Sequence, residues 1–179
     1  MNSETIEQAR ARTAKMLEEA GIVITDQERQ HIEIADMGLD DLEHIGIEVV
    51  VYENNSRYCA KELVLFPWQI CPEHRHPRVS ESNIGKQETF RCRAGEVYLY
   101  VPGEPAANPR ARVPDRYLPW MTVWNEIILQ PGDQFTLLPN TPHWFQAGPA
   151  GAIVSEFSST STDENDMYTD PEIRRVEGD

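Results

Sequence analysis

From Gly46 onward the chain is written in period two and broken by proline, glycine and asparagine. Ile47, Val49 and Val51 alternate with Glu48, Val50 and Tyr52. Arg57–Phe66, Glu88–Val101, Val123–Gln130, Gln134–Leu138, His143–Ala147 and Ala152–Ser158 read as further strands. Turn chemistry separates them, as in Pro102-Gly103, Pro131-Gly132-Asp133 and Pro139-Asn140. Many short strands with no helix between them predict an all-β barrel or sandwich.

Two flanks differ from this middle. Residues 1–45 predict a helical extension: Asn2 or Ser3 can cap it, Ile6, Ala9, Thr13, Met16, Leu17 and Ala20 share a face, and Gly21 ends it. Thr25-x-x-Glu28 has the capping-box form and predicts a second, short helix. Residues 46–158 form the expected barrel, and residues 159–179 an acidic tail packing on it. The net charge of −14 sits mainly on these flanks: 1–50 hold four basic and twelve acidic residues, and 160–179 hold two and seven. That balance argues against nucleic acid or an anionic membrane as partner, since phosphate binding needs clustered Lys and Arg. Cys59, Cys71 and Cys92 are odd in number and form no C-x-x-C pair, so they read as reduced thiols of a cytoplasmic protein. The first residues lack the basic and apolar regions of a secretory signal.

Chemistry concentrates in His74-Arg75-His76. On a strand, residues two apart share a face, so both imidazoles reach one ion while Arg75 points away. A helix would set them about 200° apart. His143 supplies a distant third imidazole, and two carboxylates follow the pair, Glu81 in a polar loop and Glu88 at the head of a strand. The block H-x-H, then E-x6-G ending at Gly95, and the later P-G-D, strand, proline turn and His143 resemble the two motifs of the cupin superfamily. The resemblance implies an all-β cupin barrel of jelly-roll type with His74, His76, Glu88 and His143 as metal ligands. Cupins usually leave only a few residues between the second His and the Glu, which would select Glu81. Strand context and the matching glycine favour Glu88, with Pro77–Gly85 as an insertion at the barrel mouth. Such a ligand set suits Mn²⁺, Fe²⁺, Co²⁺, Ni²⁺ or Zn²⁺.

A wider resemblance carries a reaction. RYCAKELVLFPWQICPEHRHP, GKQETFRCRAGEVYLYV, PNTPHWFQAG and SEFSSTSTDENDMYTDP are similar to the D-lyxose isomerase family over about Gly21 to Val176. The family implies a metal-dependent, usually Mn²⁺-preferring aldose–ketose isomerase acting on D-lyxose and D-xylulose, with D-mannose and D-fructose handled by many members. Its K-x-E motif matches Lys86-Gln87-Glu88, and its V-x-E-x-S-S block matches at Glu156. The residues fit that chemistry. Lys86 lies two before Glu88, so a strand presents both on one face, where an ammonium can stabilise charge on a substrate oxygen. Glu156, among apolar strand residues, is the candidate base that shuttles a proton between C1 and C2. Tyr58, Trp68, Trp144 and Phe157 could line a sugar pocket, although each also reads as barrel core. Asp166 could hydrogen-bond sugar hydroxyls. Arg91 and Arg93 should face away from the ligands, which argues against a phosphorylated substrate. The competing functions are a phosphosugar isomerase, a metal-dependent dioxygenase and a non-catalytic sugar-binding cupin. A homodimer is expected from exposed sheet edges.

Overall fold

The computed structural model describes residues 1–175; residues 176–179, the end of the expected tail, lie outside the described residues. Two helices open the chain, α1 (Ser3–Glu19) and α2 (Asp26–Gln30). Nine strands follow: β1 (Glu33–Ala35), β2 (Ile47–Asn54), β3 (Cys59–Leu65), β4 (Ile70–Arg75), β5 (Glu88–Val101), β6 (Asn125–Leu129), β7 (Gln134–Leu137), β8 (His143–Ser158) and β9 (Met167–Tyr168). Asn2 caps α1 by accepting from the Thr5 amide, and Thr25 and Glu28 form the capping box of α2.

All strand pairs are antiparallel, and they curl into one sheet. One path runs β1-β2-β3-β8-β4-β9, and β5 branches from it by pairing with β8, carrying β6 and β7. Long β5 and β8 form the spine. The stretches 143–147 and 152–158, expected as two strands, are one strand whose intervening Gly148–Gly151 segment bulges out against β5. The bulge needs glycine: Gly95 has φ +72°, and a Cβ there would meet the Gly151 carbonyl oxygen at 2.0 Å. The expectation missed β1 and β9, which are too short to show a period.

Burial explains why β2 and β3 do not alternate apolar with polar. Val49, Leu63 and Leu65 point into the barrel with Phe90, Leu99, Phe145 and Val154. Val50, Val64 and Phe66 point out, but α1 and β1 cover that face with Leu17, Ile32 and Ile34. Both faces are therefore dry, and each buried aliphatic side chain contributes about 1.5–3 kcal/mol. A third cluster, with Tyr100, Tyr117 and Trp144, lies under the loop between β5 and β6. The apolar interior fills one end of the barrel, and polar groups collect at the other.

Candidate active site

The polar end is built from β4, β5 and β8. His74 lies on β4 directly opposite His143 on β8, and His76 follows one step beyond the end of β4 on the same face. The three imidazoles are buried, and one ring nitrogen from each lies within 4.8 Å of the others. Arg75 points outward, as its parity requires, toward the Met167 sulfur.

Each ring is turned by a hydrogen bond on its other nitrogen. His74 Nδ1 donates to the Pro72 carbonyl at 2.8 Å, and His143 Nδ1 donates to the Thr141 carbonyl at 2.9 Å. His76 Nδ1 donates to Asp166 Oδ1 at 2.5 Å. With Nδ1 so committed, each Nε2 is left aimed at the centre, the tautomer a metal ligand needs. Glu88 enters that centre from the head of β5, its Oε1 3.1 Å from both His76 Nε2 and His143 Nε2. Glu81 is exposed in the loop before β5 and far from this arrangement in burial and context.

Beside the imidazoles lies a chain of charges. Lys86 Nζ is 2.8 Å from Glu88 Oε2 and 2.9 Å from Glu156 Oε1, and Ser158 Oγ donates to the same Glu156 oxygen at 2.9 Å. All three ionisable groups are buried. Burial alone would lower the Lys86 pKa, but Glu156 and Glu88 outweigh it and hold the ammonium well above its usual range. Burial would raise Glu88, yet Lys86 and His76 hold it well below the ordinary carboxylate value. The histidines diverge: burial and its two imidazole neighbours keep His74 neutral, whereas Glu88 and Asp166 overcome burial and push His76 up to about 9.

This set fits a divalent cation. His143 Nε2 is buried without a hydrogen-bond partner, an orphaned lone pair that an ion would satisfy. Three imidazoles and a carboxylate are borderline ligands that suit first-row divalent metals.

The cavity at this centre measures about 30 Å³ and is lined by His74, His76, Lys86, Glu88, Glu156 and Tyr168, among others. None of the four expected aromatic residues reaches it. Phe157 and Trp144 each adjoin an inward residue, Glu156 and His143, so strand parity sends them to the opposite face. Phe157 and Tyr58 line an open groove of about 780 Å³ on the outer surface. Trp144 stacks on Tyr100 at 4.0 Å between ring centroids, and Trp68 lies under the Arg112 guanidinium, both in the third cluster. Arg91 and Arg93 are exposed on the outer face. Asp166 does reach the site, but its carboxylate meets a histidine.

Sequence reasoning passed over Lys61, Asp163, Tyr168 and Arg175, which also line the cavity. Lys61 stands opposite Glu156 across β3 and β8, and its Nζ donates to Asp163 Oδ2 at 2.9 Å. A lysine in the inward register of Leu63 and Leu65 was a readable signal. Asp163 and Arg175, paired at 3.3 Å, carry no such signal.

The profile of the D-lyxose isomerase family matches residues 13–178. The chain belongs to the D-lyxose isomerase family. A D-lyxose ketol-isomerase of Thermofilum sp. (strain ex4484_79) is 60% identical over 98% of this chain and 97% of its own length. A D-lyxose/D-mannose isomerase of Thermosediminibacter oceani is 55% identical over the same shares. Among solved structures, Cellulomonas parahominis L-ribose isomerase superposes with a TM-score of 0.75 at 14% identity, covering 96% of this chain and 94% of that one. That likeness shows the fold, the curled antiparallel barrel anticipated from the cupin motifs. The D-lyxose isomerase family is one of sugar isomerases, and this member is an enzyme of that class. Among the described residues no helix is long and apolar enough to cross a membrane.

Proposed function

We propose that this enzyme interconverts D-lyxose and D-xylulose, with D-mannose and D-fructose as a second pair, at a divalent metal, Mn²⁺ in preference. The reading is carried by the convergence of three tautomer-locked Nε2 atoms and Glu88 beside the Lys86–Glu156 pair. His74, His76, His143 and Glu88 would hold the ion. When bound, it supplies Lewis-acid polarisation of the sugar oxygens at C1 and C2.

The protein's own groups handle the proton. Glu156 takes it from one carbon and returns it to the neighbouring carbon, passing through a cis-enediol of the sugar. Lys86 and Ser158 both donate to Glu156 Oε1 and so hold the carboxylate in place beside the imidazoles. Lys86 also offers its ammonium to negative charge developing on a substrate oxygen. A proton route predicts solvent deuterium in the product, whereas a hydride shift predicts none.

The buried, unpaired thiols of Cys59, Cys71 and Cys92 support a cytoplasmic setting, and exposed Tyr58, Ile84, Leu138 and Phe157 support a homodimer that covers them. Metal-free protein reconstituted with Mn²⁺ should turn over D-lyxose, then D-mannose, and neither without the ion. Turnover of the phosphorylated sugars alone, or uptake of O₂, would overturn the reading.

A further inference from the structure

After β8, residues 159–175 cross the mouth of the barrel as a strap. Ser161 exchanges two 3.1 Å hydrogen bonds with the Asn54 side chain, and Lys61 reaches Ser161 and Asp163. Farther along, β9 pairs with His74 and Arg75 of β4, and Thr169 bonds Glu73 through its amide at 3.0 Å and its hydroxyl at 2.6 Å. Within the described residues the strap runs on to Arg175, which is held by Glu33 at 2.7 Å and Asp163 at 3.3 Å.

This strap treats the three histidines unequally. His74 and His143 are turned by carbonyls two residues earlier on their own segments, so their orientation is local. His76 is turned by Asp166, ninety residues away and on the strap. The strap also supplies Asp163, Asp166, Tyr168 and Arg175 to the lining of the cavity of about 30 Å³, the room of a water or two and not of a monosaccharide. A sugar that enters must therefore move part of this lining, which includes the element that orients one of the histidines.

Resting on the metal reading above, we propose that Asp166 is a positioning residue for His76, through which strap docking and metal binding form one coupled equilibrium. With the strap down, Asp166 holds His76 Nε2 on the centre. When the strap lifts, His76 keeps only its contact with Glu88 and is free to turn, so the ion is held less tightly. Reciprocity follows from linkage: an ion that prefers the docked state stabilises docking by the same factor. Metal binding thus shuts the mouth more firmly, and substrate entry works against that closure.

The test measures Mn²⁺ affinity of metal-free protein by calorimetry, together with amide hydrogen exchange over 163–175 with and without the ion. Asp166→Ala should weaken Mn²⁺ binding about 10–100-fold, the usual effect of losing such a partner. Asp166→Asn, whose carbonyl still accepts from Nδ1, should lose less. Arg175→Ala touches no histidine but loosens the strap, and should weaken binding in the same direction. The double variant should bind no worse than Asp166→Ala alone, because both act through one contact. Mn²⁺ should slow exchange of the strap in the parent protein and leave it unchanged in Asp166→Ala. Parent-like affinity in Asp166→Ala, or parent-like affinity in Arg175→Ala with exchange indifferent to Mn²⁺, overturns the proposal. Failure of the parent protein to bind Mn²⁺ overturns instead the metal reading on which it rests.

Discussion

The barrel mouth is made of two unlike halves. His74, His143, Glu88, Lys86 and Glu156 belong to strands or adjoin them, and ladder registers place them: His74 opposite His143, Glu156 opposite Phe90 and Lys61. Asp163, Asp166 and Arg175 belong to a strap whose strand β9 pairs only two residues with β4, the rest being held by buried Ile173, side-chain hydrogen bonds and ion pairs. A ladder fixes a side chain through many cooperative backbone bonds that solvent cannot easily replace. The strap shares a ladder of only two residue pairs with the barrel, besides Ile173 and its polar contacts, so it has fewer cooperative backbone bonds to lose on detaching. The difference teaches a division of labour, with reacting and ligating groups on the rigid half and access on the loose one.

The contrast can be broken most severely on the rigid half. His143→Ala should reduce bound metal to background and abolish turnover, read by elemental analysis and a ketose assay. Glu156→Gln should lower kcat about 10²–10⁴-fold, the usual worth of a general base, while metal content stays at the parent level. A variant that keeps most of its turnover removes Glu156 from the proton path.

A pH series sharpens the comparison between the histidines. Metal-free His76 titrates near 9, raised by Glu88 and Asp166 against the effect of burial, whereas His74 is kept neutral. Below about 9, therefore, an incoming ion must displace a proton from His76 but none from His74. Apparent affinity should fall about tenfold per pH unit as pH drops from 9 toward 7, and level off above. A flat profile over that window would show that Glu88 and Asp166 together do not hold a proton on His76. The same shift gives the metal-free protein stability that is present below about 6.5 and lost as pH rises through about 9.

The smallest effect on catalysis should come from the helix-covered face. Leu17 is fully buried between α1 and the sheet. Leu17→Ala should cost about 2–5 kcal/mol in urea unfolding, yet leave kcat and metal affinity unchanged at temperatures where the protein is folded.

Much of the strand-borne half was legible beforehand. Period two placed His74 and His76 on one face, and Lys86 with Glu88, because parity along a strand is a local property. The same parity, applied to Phe157 beside Glu156 and Trp144 beside His143, would have sent both aromatic rings outward. Glu88–Val101 was read as one strand, but sequence could not show that β8 is continuous through Gly148–Gly151, since glycine and proline there read as a turn. Nor could it show that Val50 and Val64 are covered from outside, which depends on where α1 docks.

What the sequence determined by itself was an all-β architecture and the faces that the imidazoles and carboxylates share, consequences of short-range backbone geometry, with the barrel and the ligand set implied by resemblance. Tertiary structure alone decided which partner turns each ring, how the strap shuts the cavity, and that Asp166 meets His76. Those contacts join residues some ninety positions apart. Chain closure over that distance is set by the packed fold as a whole, and no local pattern of residues encodes it.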